Sequence, residues 1–146
     1  MTSNVVNNAS AGVGPTLFKN GLLAMPQKYL RNLNDMRHFV SVANTIKYRD
    51  LVSQRATGYG DAMLTSQNPI YAHGVAVEAA QLLTAQSSGV NSGFLTFPKN
   101  LIFGIQRSIT VETDKDIRSR EIFIVLTARV ALQIDDEAAT VKYTNI

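Results

Sequence analysis

Between Ile105 and Ile134 apolar and polar side chains alternate with a period of two, and this stretch constrains the fold more tightly than any other. Ile105, Arg107, Ile109 and Val111 alternate with Gln106, Ser108, Thr110 and Glu112, the pattern of a half-buried strand. Farther on, Ile122, Ile124, Leu126, Ala128, Val130, Leu132 and Ile134 line one face of a second strand over Glu121 to Ile134. Its other face starts apolar at Phe123 and Val125 and turns polar at Thr127, Arg129 and Gln133. The first half of this strand therefore reads as covered on both sides, the second half as exposed on one. Thr113 to Ser119, with Asp114, Lys115, Asp116 and Arg118, reads as a solvated loop between them. β-branched residues around Ala128 to Leu132 disfavour the rival helix. The two strands pair as a long hairpin, a scaffold that carries contact surfaces rather than a reactive cleft.

The rest of the chain is mixed, so the fold class is α+β: a central mixed sheet flanked by helices, with a long hairpin toward the C-terminus. Met1 to Pro15, rich in Asn, Ser and Gly, has little to bury and reads as a flexible arm. Thr16 to Ala24 carries Leu17, Phe18, Leu22 and Leu23 at helical spacing, weakened by Gly21 and limited by Pro26. Gln27 to Asn32 starts another helical turn headed by Pro26. Arg37 to Val42 is extended. Asn44 then caps a helix through Arg55, with Tyr48, Leu51, Val52 and Arg55 on one face. Gly58, Gly60 and Ser66 to Pro69 mark turns. Val75 and Val77 place a strand over Gly74 to Glu78, and Gln86 to Gly93 reads as a loop. Phe94, Leu95 and Phe97 form an apolar patch stopped by Pro98, which heads a short helix or turn through Phe103.

A hydrophobic fraction of 45% over 146 residues suits a folded domain with a real core. Charged residues make up only 17%, a hint that partners cover part of the surface. The net charge of +3 comes without a run of Lys and Arg, which argues against a dedicated nucleic-acid reader. With no cysteine, disulfides and cysteine zinc sites are excluded. No apolar stretch is long enough to span a bilayer, and the first residues do not resemble a secretion signal.

The candidates for chemistry have simpler readings. His38 and His73 share no spacing that makes a catalytic pair. Gly58-Tyr59-Gly60-Asp61 lacks the Lys-Ser or Lys-Thr of a phosphate loop, and Asp61 would repel an anion. Asp114 with Asp116, and Asp135 with Asp136, lack the remaining ligands and central glycine of a calcium loop. No serine sits in a nucleophile elbow. We therefore expect no catalytic, cofactor or metal residue. The remaining candidates are surface groups: Arg49, Arg55, Tyr59, Asp61, Arg118, Arg120 and Arg129 as subunit contacts, since the arginine fork favours interface ion pairs.

Several segments, taken in order, carry a resemblance. They are Met25-Pro26-Gln27-Lys28-Tyr29, Arg37-His38-Phe39-Val40-Ser41, Tyr48-Arg49-Asp50, Arg55-Ala56-Thr57-Gly58-Tyr59-Gly60-Asp61 and Tyr71-Ala72-His73-Gly74-Val75-Ala76-Val77. Asn100-Leu101-Ile102-Phe103-Gly104-Ile105-Gln106-Arg107, Ile109-Thr110-Val111-Glu112, Thr127-Ala128-Arg129-Val130 and the final Ala138 to Ile146 follow. The series resembles the later, C-terminal part of HK97-like tailed-phage major capsid proteins. The resemblance implies an axial domain with a central sheet flanked by helices, and a peripheral domain with a long helix and extended strands. It places a flexible segment at 1–15, an axial-like domain at 16–130 and a returning peripheral strand at 131–146.

There is no room for the family's N-terminal arm and long peripheral helix, which points to a fragment, a split-gene product or a prophage remnant. Some family members crosslink Lys to Asn between subunits; no residue here is matched to those positions. The implied function is structural: self-assembly into a phage or prophage shell enclosing DNA, without catalysis. The implied partners are other copies of the capsid protein, a missing N-terminal capsid segment and packaged DNA held non-specifically, with no membrane. The implied location is the virion, with assembly in the host cytoplasm. The competing readings are a phage-derived binding or adaptor domain acting as a monomer or small ring, and a small hydrolase or nucleotide-binding enzyme built around His38 or His73.

Overall fold

Strand β1 (Val5–Asn7) opens the chain, followed by helix α1 (Pro15–Ala24), strand β2 (Arg37–Ser41) and helices α2 (Val42–Ser53) and α3 (Gly58–Thr65). Strands β3 (Ile70–Ala72), β4 (Val75–Ala80), β5 (Ser92–Thr96), β6 (Leu101–Asp116), β7 (Glu121–Ile134) and β8 (Val141–Thr144) complete it. This computed structural model describes residues 4–9, 11–65, 69–83 and 92–146. Two compact units result: residues 1–100 with 136–146, and residues 101–135.

The first unit is a six-stranded mixed sheet in the order β1-β8-β5-β2-β4-β3. β1 runs parallel to β8 and β2 parallel to β4, while β2–β5, β3–β4 and β5–β8 are antiparallel. Side chains alternate across β2, so His38 and Val40 are fully buried on one face. Phe39, on the other, stacks on Phe94 of β5 at 4.9 Å between ring centroids.

Helix α1 lays Leu17, Phe18 and Gly21 into the core. Phe18 meets the rings of His38 on β2 at 4.6 Å and Tyr48 on α2 at 4.9 Å, so both helices close on the same apolar centre. Gly21 explains its own presence mid-helix: an added Cβ would overlap the Tyr143 ring and hydroxyl of β8. The roughly 1 kcal/mol that glycine costs a helix is offset by this close helix–sheet approach.

Several expectations change here. Val5–Asn7 is not a free arm; it pairs with Lys142–Thr144, and Val6 and Val13 are buried. β8 likewise lies inside the central sheet rather than apart from it, because Val141 and Tyr143 belong to the core. The unit boundaries therefore fall at residues 100 and 136, not at 15 and 130. Ser41, not Asn44, caps α2: its hydroxyl accepts from the Asn44 backbone N–H at 3.2 Å. Within the apolar faces expected of the helices, Leu23 is exposed, and Arg55 lies beyond the end of α2.

Gly58 to Asp61 is helical rather than a turn, and an added Cβ at Gly60 would press on the Arg55 carbonyl oxygen at 2.5 Å. The turn after Pro98 ends at Asn100, where β6 begins. The expected loops at 66–68 and 86–91 lie outside the described residues.

The second unit is β6 paired antiparallel with β7, as the alternation predicts. β6 extends to Asp116, so only Ile117 to Arg120 forms the turn, shorter than the expected loop. The expected half-burial is absent within this unit: side chains of both strands are exposed on both faces, apart from partly covered Thr110 and Ile134. A sheet of two strands has no second layer against which to bury them.

Candidate assembly surface

In an antiparallel pair, residues directly opposite share a face, so the register of β6 and β7 sorts the hairpin into two surfaces. One carries Leu101/Ile134, Phe103/Leu132, Ile105/Val130, Val111/Leu126, Thr113/Ile124 and Lys115/Ile122. It is almost continuously apolar. The other carries Ile102/Gln133, Gly104/Ala131, Arg107/Arg129, Thr110/Thr127, Glu112/Val125, Asp114/Phe123 and Asp116/Glu121. It is the more polar of the two, with Ile102, Ala131, Val125 and Phe123 as its apolar members.

This sorting depends on a pair of irregularities. The register shifts between Ile105 and Arg107 and again between Arg107 and Thr110. Each shift adds one residue to β6, and a single extra residue would turn every later side chain to the opposite face. Two extra residues restore the parity, so Val111 rejoins the face of Ile105. The apolar face stays open: Ile105 is 62% exposed and Leu132 79%. A groove of about 540 Å³ on it is lined by Ile105, Arg107, Ser108, Ile109, Ala128 and Val130. Soluble monomers rarely expose contiguous apolar patches beyond a few hundred Å² unless a partner covers them.

Where the chain leaves and re-enters the first unit, a polar clamp fixes Asn100 and Asp136. The Asn100 amide donates to Thr96 Oγ1 at 3.1 Å, Thr140 Oγ1 at 3.1 Å and the Asp136 carbonyl at 2.9 Å. Its oxygen accepts from the Asp136 N–H at 2.8 Å. The Asp136 carboxylate accepts from the Tyr29 hydroxyl and from the Ala138 N–H. The Tyr29 hydroxyl, then these backbone donors, hold its pKa below the usual carboxylate value. Asp136 is thus a structural anchor. Among the described residues no group of three or more His, Cys, Asp or Glu is placed to hold a metal.

The histidines separate. His38 Nδ1 is 2.8 Å from the Tyr143 hydroxyl, and no protein atom partners its Nε2. Burial, then the charge of His73, pushes its pKa down to about 3. His73 lies in an exposed turn at φ 51°, its Nε2 3.1 Å from the Pro15 carbonyl oxygen. His38 is a neutral core residue, with the Phe18 and Tyr143 rings packed about it.

The contact candidates fall into three places. Arg49, on α2, is partly exposed; Arg55 follows that helix, and Asp61 is exposed on α3, which also holds Tyr59. Arg118 and Arg120 share the hairpin turn, Arg120 at φ 59°. The Asp116 carboxylate caps that turn by accepting from the Arg118 N–H at 2.8 Å. Arg129 lies mid-hairpin, opposite Arg107. Sequence reasoning missed Arg107, Glu112 and Phe123 as surface groups. Strict alternation assigned Arg107 to the face of Ile105, and nothing in the sequence marks the two shifts that place it opposite Arg129.

No protein-family model matches the chain. A protein named as a prophage capsid protein in Bacillus subtilis (strain 168) is 34% identical over 152 residues, covering 99% of this chain and 49% of its own length. The chain thus spans about half the length of the curated relative it matches. Three solved structures share the fold. A chain of Mycobacterium phage Che8 superposes with a TM-score of 0.72 at 13% identity, covering 97% of this chain and 53% of that one. The SrpI encapsulin complex of Synechococcus elongatus PCC 7942 gives 0.69 at 10% identity, covering 100% and 54%. The satellite phage P4 procapsid, which includes a size determination protein, gives 0.65 at 13%, covering 99% and 42%. In fold the chain is of the HK97-like type that these structures share, and in sequence it is similar to a prophage capsid protein over about half of that protein's length.

Proposed function

We propose that this chain is a structural building block of a phage or prophage capsid shell, acting by repeated contact with other copies rather than by catalysis. The carrying observation is the hairpin's apolar face, sorted to one side by two compensating shifts and left exposed by the two-stranded unit itself. Burial of such a face contributes roughly 25 cal/mol per Å² of apolar surface, and closed symmetry repeats each modest contact many times. The six-stranded unit is read as the axial part of the capsid subunit and the hairpin as its peripheral part. The apolar face is covered by the remaining length of the capsid polypeptide and by neighbouring copies. Arg49, Arg55, Tyr59, Asp61, Arg118, Arg120 and Arg129 contribute subunit contacts, and packaged DNA is enclosed without sequence readout. Among the described residues no helix is long and apolar enough to cross a membrane.

The test is electron microscopy and light scattering of the purified chain, alone and with a polypeptide covering the other half of the B. subtilis relative. Closed shells containing the chain are expected in at least one case. Monomers or small rings in both would favour an adaptor domain and overturn the proposal. Reversing the charge of Arg55 without loss of assembly yield would remove that residue from the contacts.

A further inference from the structure

The polar face of the hairpin is divided along its length. Taking the Thr110/Thr127 pair as origin, Arg107/Arg129 lies two β7 residues toward the root and Glu112/Val125 two toward the tip, with Asp114/Phe123 four toward the tip. Arginines and carboxylates are thus separated by four residues, about 13 Å along a strand, too far to pair within one hairpin. Among the described residues no ion pair joins them. Arg107 and Arg129 stand directly opposite each other, an arrangement that destabilises an isolated strand pair. The shape is divided in the same way. At four residues toward the root, Gly104 and Ala131 leave a cavity of about 330 Å³, lined also by Ile105, Gln106, Arg129 and Val130. At four residues toward the tip, Phe123 stands 50% exposed.

We propose that this face is a two-fold contact between copies of the chain, with the axis passing through Thr127. A two-fold rotation about that point lays the Arg107/Arg129 pair of one copy over the Glu112/Val125 pair of the other, with Asp114 two residues farther along. It also sets Phe123 against the Gly104–Ala131 cavity. Charge and shape, two independent properties, are matched by one operation, as an isologous interface requires. Facing sheets cross at about 30°, so contact is strongest at these central levels and fades toward root and tip. The inference rests on the shell-building reading and adds to it the partner of the polar face, leaving the apolar face for other cover.

The chain has no cysteine, so single cysteines report geometry cleanly. Thr127→Cys should link to its own counterpart in a second copy through a short bismaleimide. Ala131→Cys, whose counterpart would lie about 26 Å away, should not. In sedimentation equilibrium of the full chain, Arg129→Glu and Glu112→Arg should each weaken pairing about tenfold, and the double exchange should restore it. Gly104→Val should weaken pairing by filling the cavity. It leaves the hairpin intact, since an added Cβ meets only the Ala131 carbonyl oxygen at 3.8 Å. A chain that does not pair, a Thr127→Cys that links no better than Ala131→Cys, or a double exchange no better than its worse single would overturn the proposal. Shells that form with Thr127→Cys unlinked sink the two-fold contact alone. Linked pairs that never grow into shells uphold the contact and sink the shell-building reading.

Discussion

Phe18 in the six-stranded unit is fully buried, whereas Phe123 in the hairpin keeps half its surface in water. Both sit in regular secondary structure with apolar neighbours. The difference is what stands opposite. Phe18 faces His38, Tyr48 and Tyr143 from three other elements, so its burial is complete within the chain. Phe123 has only the partner strand beside it. One unit buries its apolar side chains within itself, and the other leaves them exposed. A two-stranded hairpin is marginal without a covering layer, so the proposed shell contacts would stabilise the second unit more than the first.

Truncating the two phenylalanines breaks or sharpens this contrast most strongly. Phe18→Ala should cost about 3–5 kcal/mol in urea unfolding of the chain. Phe123→Ala should change the same transition by less than about 1 kcal/mol while weakening association. Equal losses would show that the hairpin carries its own core.

Acid should act on the first unit next. The His38 pKa is depressed in the folded state, from 6.5 to about 3. Protonation therefore favours the unfolded chain. The stabilising contribution is fully present above about pH 6.5 and is lost as pH falls toward 3, by about 1.4 kcal/mol per pH unit. His38→Phe should flatten this part of the stability–pH curve, measured by denaturant midpoints between pH 7 and pH 4. An unchanged slope would mean that His38 is not the responsible group.

At the junction, Asn100→Ala removes four hydrogen bonds and leaves the Asp136 N–H and the Thr140 hydroxyl short of a partner. A loss of about 2 kcal/mol is expected, with faster amide exchange at Asp136 and Ala138. Asn100→Asp should restore the accepting half, seen as retained protection of the Asp136 amide. The smallest effect lies in α2. Asn44 is 1% exposed, and no protein atom partners its side-chain nitrogen or oxygen. Asn44→Leu should leave stability unchanged or raise it by about 1 kcal/mol. A clear loss would show that the amide is satisfied in solution.

The long hairpin was legible because alternation over many residues has one structural meaning, and α1 because Leu17, Phe18, Leu22 and Leu23 recur at helical spacing ahead of Pro26. The α2 cap was misassigned between Asn44 and Ser41: both residues are good caps, and only the end of β2 decides which one is reached. Gly58 and Gly60 misled because glycine in sequence signals a turn, while both lie in α3 and at Gly60 carbonyls of the preceding segment require the small size. The contact candidates Arg118, Arg120 and Arg129 were visible as arginines, but their grouping into a turn and a mid-strand position came only with the register.

What the sequence by itself determined are the longer local periods: the two hairpin strands with one apolar side, and helices α1 and α2. Tertiary structure alone decided that Val5–Asn7 and Val141–Thr144 join one sheet, and that two one-residue shifts cancel on β6. It also decided that the hairpin's apolar face finds no cover within the two-stranded unit. The physical reason is range. Periodicity is set by neighbouring residues on one strand or helix, whereas pairing across about 135 residues, from Val6 to Tyr143, is set by which surfaces fit in space.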